Sequence, residues 1–376
     1  MQSSSLDVER LPDLLRADAE RDRLARTRQA KAWQRLKPDL HPILLTAPLT
    51  EEQEKISDPN FQEAFDSAEL MLCSQIRAAC QVVNARSDAV PSIRVNFGTA
   101  TVLSCLGLEQ AVFPDKMPWL RDHLSKGQLS RIEADDIQVQ GTFARGLQIM
   151  RRFKEIMGDS VAVYCMDTQG PFDLAHLAAG DQIFYDIYDD PGYVHHVMEV
   201  CLQLGIKTHI WMKQAIGECT AEQHHGNALF AQNMGIRICE DTTALLSPGA
   251  MGEFALPYTR RLAQCFGGAW VHYCGRNDHL SDAICQMPEI RGINFGHIPG
   301  HVHQHSFQED MHRCGLHKKV CYGSWPRLDG ESGREYLRRL FTWADAGVLI
   351  PSANDALLAP EGFRKASEIL DYWYSL

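Results

Sequence analysis

Short apolar runs alternate with longer stretches of helical period along most of this chain. His41-Pro42-Ile43-Leu44-Leu45-Thr46-Ala47-Pro48 is the first run, closed by proline. Residues 49–88 follow with Phe65, Leu70, Met71, Ile76 and Cys80 on one side of a helix. Further runs appear at 92–98, 161–166, 235–239, 269–274, 291–296, 319–323 and 347–351. Residues 110–133 read as irregular, with Pro114, Pro118 and Gly127, and a long helix then runs to Met157-Gly158. Helices are expected to fill 174–223, broken at Asp189-Asp190-Pro191, where Asp190 can cap the next helix. Eight short strands separated by helices predict a single closed (β/α)8 TIM barrel over residues 41–376. The alternative is a doubly wound open sheet. It calls for a glycine-rich phosphate turn, and no G-x-G-x-x-G or Walker pattern is present.

Residues 7–37 differ from the rest. They are dense in charge, with Leu11, Leu15, Leu24 and Trp33 loosely at helical spacing. The pattern predicts an N-terminal helical extension over residues 1–40, solvated and lying outside the barrel.

Composition narrows the classes. The chain has 376 residues, 45% hydrophobic and 23% charged, as expected of a globular protein with an ample core. A net charge of −11 argues against nucleic acid and against an anionic membrane surface. No apolar run is long enough to span a bilayer. The first residues lack the basic and apolar regions of a secretory signal. Twelve cysteines without framework spacing are then expected to be reduced thiols in the cytoplasm. The partner expected on these grounds is a small-molecule substrate.

The chemistry concentrates in Val271-His272-Tyr273-Cys274-Gly275. In a strand, residues i and i+2 share a face, so His272 and Cys274 project together, about 7 Å apart along the chain. An imidazole and a thiolate side by side make half of a tetrahedral zinc site. A buried His and Cys that merely alternate would look the same, but this pair ends a strand, where barrel enzymes keep their chemistry. The other strand ends contribute Asn96, Asp167, Glu240, Asp241, Asn294, His297, Cys321, Asn354 and Asp355. Asp167, Glu240 and Asp241 are candidate acids and orienting groups. Asn96, Asn294 and Asn354 are candidate substrate contacts. Asp167 could equally form a turn with Gly170-Pro171, and Glu240-Asp241 could cap the helix opened by Ser247-Pro248. The histidines from His297 to His317 read as a solvated loop, His297 excepted because it follows a strand directly.

Taken in order, Gly170-Pro171-Phe172-Asp173-Leu174-Ala175, Glu240-Asp241, Leu246-Ser247-Pro248, Pro257-Tyr258 and His272-Tyr273-Cys274-Gly275 resemble the uroporphyrinogen decarboxylase superfamily. That superfamily includes zinc-dependent cobamide:thiol methyltransferases. The resemblance covers roughly residues 90–375 and implies a (β/α)8 barrel. It implies two activities. The decarboxylases carry an arginine-rich first strand for substrate carboxylates, and the first strand here has no arginine. The methyltransferases carry H-x-C with a further Cys at the end of the eighth strand. This chain has the H-x-C, but reads Pro351-Ser352-Ala353-Asn354-Asp355 at the second place. The methyltransferase reading implies zinc on His272 and Cys274, a corrinoid or methoxylated methyl donor, a thiol or pterin acceptor, and a corrinoid protein as partner. Cys321 or His297 is then expected as the replacement ligand. A barrel that binds a tetrapyrrole or corrinoid without catalysis is the third reading.

Overall fold

The computed structural model describes residues 10–15, 18–297, 304–354 and 363–376. All eight expected strands form: β1 (Leu44–Thr46), β2 (Ser92–Arg94), β3 (Ala162–Tyr164), β4 (Ile236–Cys239), β5 (Ala269–Cys274), β6 (Ile290–Gly296), β7 (Val320–Gly323) and β8 (Leu349–Asn354). Every pairing among them is parallel. Six strands form one sheet in the order β1-β8-β7-β6-β5-β4, and β2 pairs with β3 separately. This is the strand order of a barrel in two hydrogen-bonded pieces. Among the described residues no ladder joins β1 to β2 or β3 to β4, so the expected closure is not continuous.

Other groups fill both gaps. The edge of β1 is met by Ser87 and Asp88: Leu45 N–H donates to Ser87 Oγ at 3.0 Å and Asp88 N–H to the Ile43 carbonyl at 3.2 Å. Between β3 and β4 stands a feature the helical reading of 174–223 missed. The long helix Pro191–Ile216 stops at Gly217, and Glu222–His225 pairs antiparallel with Leu229–Gln232. The connection closes as a β-turn, Ala228 N–H donating to the His225 carbonyl at 3.3 Å, with the central Gly226 and Asn227 both at positive φ as a type I′ turn requires. Its tip carries the His225 ring between Tyr164 and Trp270, at 5.9 and 5.1 Å between ring centres.

The hairpin also corrects the reading of the N-terminal segment. The helix Ala19–Trp33 is not a solvated outer layer. Gln29 is fully buried, donating to the carbonyls of Asp88 and Ala228 and accepting from Phe230 N–H. Trp33 Nε1 donates to the Phe230 carbonyl at 3.1 Å, and the Trp33 ring lies against Gly292. A Cβ at Gly292 would sit 2.4 Å from that ring. The helix thus closes the N-terminal end of the strands and leaves the C-terminal end for the site. Its charges divide: Arg23 pairs with Glu20 in solvent, while Arg28 reaches the buried Asp88 at 2.8 Å and Arg26 lies over the Phe230 ring.

Candidate active site

Strand register assembles the centre. Cys239 on β4, His272 on β5 and Asn294 on β6 are consecutive Cα partners across three strands. Parallel neighbours in register point to the same face. Here that face is the barrel interior, toward which Arg237, His272 and Asn294 all turn.

A chain of hydrogen bonds sets the state of His272. Asn294 Nδ2 donates to the Tyr322 carbonyl at 2.6 Å. That fixes the amide orientation and turns Asn294 Oδ1 toward His272 Nδ1, 2.6 Å away. An amide oxygen only accepts, so Nδ1 carries the proton and Nε2 keeps its lone pair. Burial and the nearby Arg237 lower the His272 pKa, which also favours the neutral ring. Nε2 faces Cys274 Sγ at 3.4 Å and Asp241 Oδ1 at 3.9 Å. Cys239, Asp241 and His272 place one donor atom each within 4.8 Å of one another. Two glycines make room. A Cβ at Gly296 would meet Cys274 Sγ at 2.5 Å, and one at Gly323 would meet Asn294 Nδ2 at 2.4 Å.

Asp241 is held by its neighbours. Its Oδ1 accepts from Cys274 N–H at 2.6 Å. The buried Asp173, in the first turn of the helix Pro171–Ala179, accepts from the backbone N–H of Asp241 at 3.0 Å and of Thr242 at 2.8 Å. Burial raises the Asp173 carboxyl well above its usual range, and Glu240 and Asp241 add to the rise. Gly170 N–H donates to the Cys239 carbonyl at 2.7 Å, so the turn after β3 is stitched directly to the end of β4.

Glu240 does not join this group. Successive strand residues alternate sides, and Glu240 turns into the helical layer, where it is fully buried and accepts from Thr259 Oγ1 at 2.5 Å and from Thr243. Burial pushes its pKa up to about 7 against those two hydroxyl donors. Asp167 lies inside the barrel between Arg237 at 2.8 Å and Arg94 at 3.2 Å. Burial opposes its charge, but the two guanidinium groups outweigh that and hold the carboxyl far below its usual range. Following β3, it ties Arg94 on β2 to Arg237 on β4 across the unpaired β3–β4 edge.

The remaining candidates fall in different places. Asn294 is occupied in orienting His272. Asn96 Oδ1 accepts from Gly98 N–H at 3.3 Å and shapes the turn after β2. The side chain of Asn354, along with Asp355, lies outside the described residues. Cys321 and His297 are not brought to His272 and Cys274. Cys321 is the register partner of Ile293 and Leu349, one residue off the inward Tyr322, so its thiol faces the helices. Burial there pushes its pKa far up. His297 shares the outward side of Phe295 and packs on Trp325 at 4.8 Å and His305 at 5.9 Å. Cys239 is the residue that sequence reasoning passed over. Its signal was the alternation Arg237, Cys239, Asp241 on one strand face.

The donor set suits zinc. Two ligands of a tetrahedral zinc ion stand about 3.5 Å apart, close to the Cys274–His272 separation. Two thiols, a neutral imidazole and a carboxylate are ordinary zinc ligands. Burial, then Asp241, pushes the Cys274 thiol up to about 11. A bound cation would reverse that and favour the thiolate.

The uroporphyrinogen decarboxylase (URO-D) family profile matches residues 24–320. The chain belongs to the uroporphyrinogen decarboxylase family. The match takes in the C-terminal two thirds of the helix that closes the barrel floor, the β2–β3 pair, the hairpin and the whole Cys239–His272–Asn294 row. The family implies the TIM-barrel fold, in agreement with the strand order. No curated protein sequence matches the chain. Among solved structures, a methyltransferase from Methanosarcina mazei superposes with a TM-score of 0.61 at 15% identity. The superposition covers 93% of this chain and 98% of that one, a likeness of fold across the full length.

Proposed function

We propose that this URO-D family member is a zinc-dependent methyltransferase, moving a methyl group between a corrinoid or methoxylated donor and a thiol or pterin acceptor. The supporting observation is the neutral His272 imidazole, whose Nε2 lone pair is directed by Asn294 toward Cys274, Asp241 and Cys239. These four side chains would hold the metal. Zinc supplies a cation that keeps an acceptor thiol ionised at neutral pH. The chain's own residues do the rest. Asn294 holds the imidazole, and Asp173 and the Cys274 N–H hold Asp241 at the mouth side. Asp241 is the partly exposed member and would orient the acceptor. With a corrinoid donor and a thiol acceptor, the corrinoid would supply the methyl group and zinc the ionised sulfur, and these residues would hold the two in line. Residues 41–376 form the catalytic barrel in this reading, with 1–40 as an extension whose helix Ala19–Trp33 packs on its floor, and the enzyme works in the cytoplasm with a corrinoid protein as partner.

A second reading is decarboxylation of a carboxylated ring. One observation favours it: Arg94 and Arg237 both project into the barrel. Asp167 already lies between them, which leaves less positive charge for a substrate with many carboxylates. Mixing the zinc-loaded protein with methylcob(III)alamin and a panel of thiols and tetrahydropterins distinguishes the two. Demethylation seen in the cobalt spectrum, and lost in His272→Ala, supports methyl transfer. Coproporphyrinogen formed from uroporphyrinogen, with an unchanged cobalt spectrum, establishes decarboxylation instead.

A further inference from the structure

A second group of metal-binding side chains lies outside the barrel interior, behind β5 and β6. His305 is the central member, with a completely buried side chain. Neither of its ring nitrogens has a hydrogen-bond partner. Its Nδ1 stands 3.5 Å from Asp310 Oδ2, and that carboxylate oxygen is itself buried without a hydrogen bond. The other Asp310 oxygen accepts from Arg313 at 2.6 Å. His297 Nε2 is also buried and unpartnered. Four unpartnered polar atoms thus lie on three neighbouring side chains.

The walls around these atoms are aromatic. The His305 ring is enclosed by Phe295 at 4.7 Å and Tyr273 at 5.2 Å, and Trp325 closes on His297. The unpartnered atoms themselves would give a buried water the two to four partners it needs, so metal content is what separates an ion from a water here. Buried polar groups left unpaired are costly, and a cluster of them points to an ion or water that completes them. Two imidazoles and a carboxylate are the donor set of a divalent first-row transition metal.

We propose that His297, His305 and Asp310 bind a second divalent transition-metal ion. The ion would tie the end of β6, through His297, to His305 and the helix Phe307–Leu316. The His297 and His305 ring centres are 5.9 Å apart at an interplanar angle of 89°. Two imidazoles on one ion place their ring centres about 5–6 Å apart. The donor atoms of these three residues do not all lie within 4.8 Å of one another, so binding draws the rings inward, while His297 keeps its hydrogen bond with Gln304 through the other ring nitrogen. This site is separate from the one on which the methyltransferase reading rests.

The test is metal content by elemental analysis with zinc, cobalt and manganese supplied singly, together with thermal melting. His305→Phe is the main variant, because a phenyl ring fits the aromatic pocket and removes both orphan nitrogens. Asp310→Asn is the second variant, with the carboxylate replaced by its near-isostere. The expected result is that both variants lose one metal equivalent while His272→Ala loses a different one. His305→Phe is then expected to melt lower than the metal-loaded parent and at or above the chelator-treated parent. The proposal is overturned if His305→Phe keeps the parent's full metal content, or if it melts higher than the metal-loaded parent. A parent that binds one equivalent, lost in His272→Ala alone, overturns this site and leaves the first intact. One equivalent lost in His305→Phe alone does the reverse.

Discussion

Asn294 Oδ1 and His272 Nδ1 are 2.6 Å apart across neighbouring strands, and this contact determines which imidazole nitrogen is free to bind. The amide is oriented in turn by the Tyr322 carbonyl, and Gly323 leaves the space it occupies. Replacing Asn294 by Leu keeps its approximate volume and removes the acceptor. Zinc affinity is expected to fall about 10–100-fold, the usual cost of losing a metal ligand's orienting partner. Asn294→Asp retains an acceptor for Nδ1 and is expected to lose less. Chelator competition measures both, and equal affinity in parent and Asn294→Leu would show the contact to be incidental.

The third sulfur-bearing position separates two ligand sets. Cys239→Ser is expected to lower zinc content as severely as Cys274→Ser. Cys321→Ser is expected to leave it unchanged, since that thiol faces the helices. Elemental analysis of the three variants decides between them. Zinc lost from Cys321→Ser with the fold intact would return the ligand to β7.

His209 supplies a pH dependence independent of any metal. Its Nδ1–H donates to the Gly205 carbonyl at 2.7 Å and its Nε2 accepts from Thr168 Oγ1 at 3.0 Å, so the buried ring is held neutral. Burial lowers its pKa to about 4 from an ordinary value of 6.5. Between those values the unfolded chain binds the proton and the folded chain does not. Stability from this group is therefore full above pH 6.5 and lost as pH falls toward 4, by about 3 kcal/mol at most. Denaturant titrations across that range should show a shallower slope for His209→Gln than for the parent. Parallel slopes would mean that His209 contributes nothing to the acid sensitivity.

The N-terminal helix is predicted to be integral to stability. Gln29→Leu leaves the Asp88 and Ala228 carbonyls and the Phe230 N–H without their side-chain partner. Each buried group left unpaired costs about 1–3 kcal/mol. A loss of more than about 2 kcal/mol in urea unfolding is expected. A change under about 0.5 kcal/mol, as for a surface substitution, would restore the picture of a solvated extension.

Much of this was legible in the chain. The eight apolar runs became the eight parallel strands, because a strand buried on both faces is a short, nearly unbroken hydrophobic segment. The period of two placed His272 and Cys274 on one face, and the two side chains lie 3.4 Å apart. The hairpin was missed, although His225-Gly226-Asn227-Ala228 carries its turn signal, because the apolar stretch before it continued a helical period. The Ala19–Trp33 helix misled for a different reason. Its buried face rests on Gln29 and Trp33, and a glutamine that satisfies backbone groups reads as surface.

The sequence by itself determined the strands, the family resemblance and the H-x-C pair, all of which depend on local pattern or on short motifs. Tertiary structure alone decided which neighbours joined that pair. Register brought Cys239 and Asn294 to either side of His272, from positions 33 residues before it and 22 after. It also sent Glu240, Cys321 and His297 to the other side of the sheet. Alternation is visible within one strand, but its absolute phase is set only when the strands pair, and a shift of one residue exchanges the two faces.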